Sequence, residues 1–261
     1  MKTPAEYQDI YIYGRHAVME ALSAPLGVVS KVFVSPARKD AELITALENA
    51  KVPMFALDVG KLPREVSDEA VHQGVLGIVA SSKLLLTYKT FIESLSISAD
   101  TSLVILGEIQ DPHNVGAIIR SAAGLGVAGV LIPQHNQAQV TGAVIKVSAG
   151  MAFKIPLVSV GNVNTAVRDL KERGFWIYGL DGESKQSVST EVYDRPSVFL
   201  LGNEGKGLRE KTQELCDIMV SIPMHPRCES FNVAVSAAIA LYAWSAQHPA
   251  SVLEKVSPLS R

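Results

Sequence analysis

From about residue 102 onward the chain alternates short apolar runs with longer stretches whose apolar residues recur every three or four positions. The runs at 103–109, 128–132, 155–159, 175–180, 197–201 and 218–222 have strand length, and the periodic stretches at 114–125, 141–149, 163–173, 208–215 and 231–247 read as helices. Such alternation predicts an α/β domain whose parallel sheet is covered on both faces. Upstream, residues 10–80 read as a smaller α/β unit, with helices at 13–22 and 40–50 and strands at 28–35, 53–57 and 74–81. Between the two, Ser94, Ser96, Ser98 and Asp100 loosen the pattern, leaving room for one helical turn at 88–95. The organisation expected is a first domain over 1–83, a linker over 84–100, a second domain over 101–250 and a tail over 251–261.

In a sheet of this kind ligands bind beyond the carboxyl ends of the strands. Three polar or glycine-rich stretches fall there, at 107–116, 202–207 and 223–232. In the first, Asp111 and Pro112 supply a helix start, because Asp accepts from orphan amides and Pro tolerates the first helical position. Asn114 sits in that first turn. Val115, Ile118, Ile119 and Ala122 form an apolar stripe, while Gly116, Ala117, Ala123 and Gly124 let neighbours approach the backbone. Arg120 projects from this helix, where it needs either a partner and a role or a place on a solvated face.

Composition narrows the picture. With 261 residues, 48% hydrophobic and 19% charged, the chain is that of a globular protein with a sizeable core. A net charge of −2 argues against nucleic-acid binding by a broad basic surface, so RNA would be held by local patches and shape. The first eighty residues carry eight Lys/Arg against ten Asp/Glu, yet Arg15, His16, Arg38, Lys39, His72 and Gln73 fall at turns and element ends, where a polyanion is usually contacted; ordinary surface charge is the alternative. Cys216 and Cys228 form no metal or disulfide pattern and read as plain buried thiols. The N-terminus has no apolar leader and no apolar run reaches membrane-spanning length, so the protein is expected to be cytoplasmic, or imported after loss of a presequence.

Two apparent motifs fail. Gly124-Leu-Gly-Val-Ala-Gly129 has the dinucleotide-binding spacing, but it closes a helix and precedes a strand, the reverse of what that fingerprint requires. Gly202-Asn-Glu-Gly-Lys-Gly-Leu208 lacks the ending and the gap of a nucleotide-triphosphate loop. What it does offer is a run of backbone amides on which a ligand can lie, with Glu204 among them. In the third stretch Ser230 and Asn232 are helix-capping types, and the Ala- and Ser-rich helix that follows invites close packing by another segment, within the chain or across a dimer.

Asp111-Pro-His-Asn114-Val-Gly-Ala-Ile-Ile-Arg120-Ser-Ala, Leu201-Gly202-Asn-Glu204-Gly-Lys-Gly and Ile222-Pro223-Met with Ser230-Phe231-Asn232-Val together resemble, in order and spacing, the SpoU (TrmH-like) RNA ribose 2′-O-methyltransferases of the SPOUT class. The resemblance covers roughly residues 100–247. The first eighty residues resemble the L30e-like substrate-binding domain of the large-subunit rRNA branch, through Tyr13-Gly14-Arg15-His16-Ala17-Val18 and His72-Gln73-Gly74. The resemblance implies a trefoil knot in the catalytic domain, S-adenosylmethionine held by the backbones around Leu201, Gly202, Ile222, Pro223 and Phe231, and a homodimer whose interface completes the site. It further implies that Arg120 acts on the ribose hydroxyl with Asn114 orienting it, that Glu204 anchors Arg120 or the knot loops, and that Ser230 and Asn232 position substrate or order their loop. The implied activity is 2′-O-methylation of a ribose, a guanosine by branch, in 23S rRNA; a tRNA substrate, or a non-catalytic RNA-binding factor on the same fold, are the alternatives. Three departures from the family pattern bear on pocket shape and target choice: Phe231 in place of Leu, Ala234 in place of Ser, and His225-Pro-Arg-Cys-Glu229 in place of a small-residue loop.

Overall fold

The computed structural model describes residues 9–25, 27–58, 60 and 72–253. The tail expected over 251–261 therefore lies mostly outside the described residues. The chain opens with β1 (Asp9–Tyr13), α1 (Arg15–Ser23), β2 (Val29–Val34), α2 (Ala41–Asn49), β3 (Met54–Ala56) and β4 (Val75–Ala80). Its four strands form a mixed sheet in the order β1-β4-β2-β3, with β4 antiparallel to β1 and β2 and with β2 parallel to β3. Alternate residues Ile10, Ile12, Val32, Val34, Val75 and Val79 join Val18 and Ala21 of α1 and Leu43 and Leu47 of α2 in the core. The periodicity ran the first helix back to Tyr13, but that residue ends a strand: Gly14, at φ 89°, turns the chain before α1.

A short helix, α3 (Ser81–Leu84), leads into β5 (Leu85–Thr87) and α4 (Tyr88–Ser94). These residues correct the expectation of a linker over 84–100. β5 is the edge strand of the large sheet, parallel to the strand at Leu157–Val160, and α4 buries Phe91 and Ile92 against that sheet. The apolar signal was there, in a run too short to stand out from the serines after it.

The second domain continues with β6 (Ser102–Leu106), α5 (Pro112–Gly124), β7 (Gly129–Pro133), α6 (Gly142–Val147), β8 (Leu157–Val160), α7 (Val163–Glu172), β9 (Trp176–Leu180), β10 (Gln186–Ser187), β11 (Ser197–Leu201), α8 (Glu210–Gln213), β12 (Ile218–Ser221), α9 (Val233–Ser245) and α10 (Pro249–Leu253). Eight parallel strands run in the order β10-β12-β9-β11-β6-β7-β8-β5. Period-two alternation separates the two faces: Val104, Leu106, Phe199 and Leu201 share a core with α5, α6 and α9, whereas Leu103, Ile105, Val198 and Leu200 pack with α4 and α7. The helix expected at 208–215 shrinks to one turn, because Arg209 keeps an extended backbone and Leu208 and Leu215 pack on the second core instead.

Close backbone approach joins these layers. Gly116 of α5 has no space for a side chain: a Cβ there would lie 2.7 Å from Val147 Cβ and 2.8 Å from the Val144 carbonyl of α6. Gly142, at the start of α6, sits against the Tyr11 carbonyl of β1, and Lys154 pairs with Glu20 at 2.8 Å, so the two domains share one continuous core. At the opposite end of the large sheet, His248 bonds the Asp100 carboxylate at 2.7 Å and the Tyr193 carbonyl at 2.8 Å and stacks on Trp244. Replacing Gly116 with Ala is expected to cost about 2 kcal/mol by forcing α5 and α6 apart, read as a lower urea midpoint in equilibrium unfolding; an unchanged midpoint would show that the helices part freely.

Candidate active site

All strands of the large sheet point the same way, so the turns after β6, β9, β11 and β12 gather at one edge. Leu106 pairs with Leu201 and Leu180 with Val220, which sets the four strand ends level. The strand expected to reach residue 109 stops at Leu106. Gly107 leaves no room beside the Leu201 carbonyl, 2.3 Å from where its Cβ would stand, and Glu108 turns the chain at φ 64°. Asp111 then caps α5 through the His113 amide at 2.8 Å, with Pro112 in the first turn.

Beyond β11 the chain reverses. Asn203 and Gly207 exchange two backbone hydrogen bonds of 2.9 Å, and the Asn203 side chain accepts from the amides of Gly205 and Lys206. A Cβ at Gly202 would collide with the Gly207 carbonyl carbon at 2.4 Å, so this turn closes only on glycine. Glu204 is thereby carried over α5. Its carboxylate accepts from Asn114 Nδ2 at 3.1 Å and, at 3.4 Å each, from the backbone amides of Gln110 and Asp111. Asn114 Oδ1 in turn accepts from Asn232 Nδ2 at 2.9 Å, while Asn232 Oδ1 caps α9 through the amides of Ala234 and Val235. Residues from three distant stretches thus form one hydrogen-bonded chain. Partial burial opposes ionisation of Glu204, but the donors from Asn114, Gln110 and Asp111 outweigh it and hold the carboxyl below its ordinary range.

The structure brings together Asn114, Glu204 and Asn232 among the expected site residues, with Leu201 buried beneath them. Gly202, Ile222, Pro223, Ser230 and Phe231 lie in the loops around this cluster, Phe231 with 38% of its surface open. Arg120 stands apart: its side chain is exposed, and Glu204 bonds to Asn114 and the loop amides rather than to it. By helical phase Arg120 falls between Gly116, packed on α6, and Ala117, which lines a groove of about 670 Å³ between α5 and α9. Asn114, Asn232, Val235 and Tyr242 also line that groove, with Val235 and Tyr242 46% and 66% exposed. Cys228, expected to be buried, is exposed in the 222–232 loop, while Cys216 is half-buried, its thiol pushed up to about 11 by desolvation.

In the first domain, Arg15 and Arg38 converge on Asp40 at 3.0 Å each, and Arg38 also donates to the Gln73 carbonyl at 2.6 Å. Gln73 adopts φ 49°, and the next amide, that of Gly74, donates to His72 Nδ1 at 3.0 Å. Four of the six residues expected to contact a polyanion therefore share one end of the small sheet, whereas His16 and Lys39 are exposed and make none of these contacts. Asp40 is held below its ordinary range by the Leu43 amide and both guanidiniums, so much of this positive charge is already countered. Sequence reasoning read Asp40 only as the start of a helix, and it did not single out Glu108 or Asn203. For Glu108 the available signal was a polar residue in the tight turn between a strand and a capped helix. Among the described residues, no group of three His, Cys, Asp or Glu is placed to hold a metal, and no helix is long and apolar enough to cross a membrane.

This arrangement has known counterparts. The profile of the SpoU rRNA Methylase family matches residues 101–242, and that described as RNA 2′-O ribose methyltransferase substrate binding matches residues 11–85. The 23S rRNA (guanosine-2′-O-)-methyltransferase RlmB of Neisseria meningitidis is 36% identical over 88% of this chain and 92% of its own length. That of Shewanella oneidensis is 35% identical over 90% and 96%. In fold, the SpoU methyltransferase AviRb of Streptomyces viridochromogenes, solved with AdoMet, superposes with a TM-score of 0.77 at 23% identity, covering 92% of this chain and 91% of that one. The chain belongs to the SpoU rRNA methylase family.

Because the native state favours ionised Glu204, its contribution is present above the ordinary carboxyl range and is lost as pH falls through the lower folded value. The stability gap between wild type and Glu204→Gln, from chemical unfolding, should therefore be widest near pH 7 and narrow below about pH 4. A gap equal at both pH values would remove the charge from the account.

Proposed function

We propose that this chain is an S-adenosylmethionine-dependent methyltransferase acting on a ribose 2′-hydroxyl, a guanosine, in 23S rRNA. The observation that carries the reading is the hydrogen-bonded meeting of Asn114, Glu204 and Asn232 at one sheet edge, in a chain whose family and curated relatives are rRNA methyltransferases. The turns at 202–208 and 222–232 offer backbone amides, carbonyls and the apolar surface of Ile222, Met224 and Phe231, and this suits a flat nucleoside. In this reading Leu201, Gly202, Ile222, Pro223 and Phe231 hold the adenosine part. Bound S-adenosylmethionine supplies an activated methyl group that leaves behind a neutral thioether.

The chain's own task is to align a weakly acidic hydroxyl and to stabilise the charge that develops on its oxygen. Arg120 serves as the electrostatic stabiliser; a guanidinium stays protonated, so the hydroxyl proton passes to an acceptor such as the RNA phosphate. Asn114, fixed by Glu204 and Asn232, orients the reacting partner, and Ser230 positions the substrate side of the loop. The active form is a homodimer. Its interface is the α5–α9 groove, where exposed Val235 and Tyr242 continue an apolar helix and Arg120 lies on the rim, ready to be enclosed by a second copy. The C-terminal third forms a trefoil knot. In support, β12 lies outboard of β9 while β11 lies inboard, and the loop at 222–232 returns the chain to α9, packed on α5 and β11. The first domain is L30e-like and presents Arg15, His16, Arg38, His72 and Gln73 to the RNA.

Arg120→Ala should abolish methyl transfer to 23S rRNA transcripts while calorimetry still detects S-adenosylmethionine binding; unchanged turnover would remove Arg120 from the mechanism. Tyr242→Glu should sediment as a monomer and lose transfer in parallel. Mapping 2′-O-methyl groups in rRNA and tRNA from cells with and without the gene tests the substrate: one rRNA guanosine should lose its mark, and loss confined to tRNA would overturn the assignment.

A further inference from the structure

Glu108 is a non-glycine residue held at φ 64°, a left-handed conformation that L side chains avoid. It is not left strained on an idle surface. Its carbonyl accepts from Asn203 Nδ2 at 2.8 Å and from Gln110 Nε2 at 3.2 Å, and its carboxylate takes the Arg209 guanidinium, with Nε at 3.0 Å and a second contact through Nη2. Asn203 and Arg209 flank the glycine-rich turn on either side, so one residue grips both ends of that turn, by backbone at its entry and by side chain at its exit. The next residues, Gln110 and Asp111, give the amides that Glu204 accepts, and Gln110 is further tied to the Asn136 carbonyl at 2.6 Å. A bidentate pair with arginine is the side-chain arrangement that best fixes direction as well as distance.

We propose that the Glu108–Arg209 pair is a clasp that sets cofactor affinity by holding the 202–208 turn closed against α5. Both are positioning residues, acting through Asn203, Gly207 and Glu204 rather than by touching reacting atoms. This rests on the methyltransferase reading for what the turn binds, but the clasp itself does not. Two chain-specific consequences follow. Glycine at 108 suits the left-handed backbone better than glutamate does, so Glu108→Gly should keep or raise thermal stability while loosening the turn. Removing Arg209 should loosen it to the same degree, and the double variant should be no looser than either single one.

The experiment uses the full chain. Hydrogen exchange at the amides of Asn203, Gly205, Lys206 and Gly207, each of which is hydrogen-bonded in the closed turn, should speed up about tenfold in Arg209→Ala and in Glu108→Gly. Calorimetry with S-adenosylmethionine should show Kd raised about tenfold in both. In methyl transfer, KM for the cofactor should rise more than kcat falls, and Arg209→Lys should recover part of the loss. Wild-type exchange rates in the variants, or double-variant effects equal to the product of the singles, would overturn the clasp. If wild type itself binds no S-adenosylmethionine, the methyltransferase reading fails while the exchange data still decide the clasp.

Discussion

The site depends on a hydrogen-bond chain whose direction has no freedom. The Glu204 carboxylate can only accept, so Asn114 must turn its amide nitrogen toward it and its oxygen away. That oxygen then requires a donor, which Asn232 supplies, and the remaining Asn232 oxygen faces two helix amides that can only donate. Orientation is thus transmitted from the start of α9 through α5 to the turn after β11, with every amide assigned by its neighbours. Changing any one of the three to an isostere of different donor pattern leaves a partly buried group unpaired, which costs more than the bond itself contributes. This explains how three loops from distant parts of the chain hold one shape that a ligand can use.

Glycines make the chain of bonds reachable. Gly107 lets β6 end against the Leu201 carbonyl, and Gly202 lets the turn fold onto Gly207. Gly116 draws α5 onto α6, and α6 in turn meets β1 through Gly142, so the first domain is fixed to the same helix that bears Asn114. A tilt of that domain would therefore be felt at α5, the helix whose first turn carries Asn114.

Much of this was legible in the residues. Alternation of apolar runs and periodic stretches indicated the parallel sheet, and Asp111-Pro112 marked the start of α5 because capping chemistry is local. The three motifs are sequence-distant yet meet, since parallel strands deliver their following turns to one edge. What the residues did not disclose was decided by tertiary contact. β5 is three residues long and stable only as an edge on β8, β1 runs straight into a helix through Gly14, and 208–215 has a helical pattern whose leucines serve the sheet instead. For Arg120 the residues left two places open, a partnered one and a solvated face, and on a single chain the side chain is exposed. Of the small residues near it, Gly116 is packed on α6 and Ala117 lines the open α5–α9 groove.

His248, bridging Asp100 and Tyr193, lies where β6 and β11 begin, whereas the ligand loops lie where those strands end. A strand of five residues separates the two by about 16 Å, so His248 and the α10 helix that follows it sit at the far side of the sheet. A fluorophore attached through a cysteine at the exposed position of Ala250 would thus report from the rear of the sheet, leaving the edge that bears the turns after β6 and β11 free.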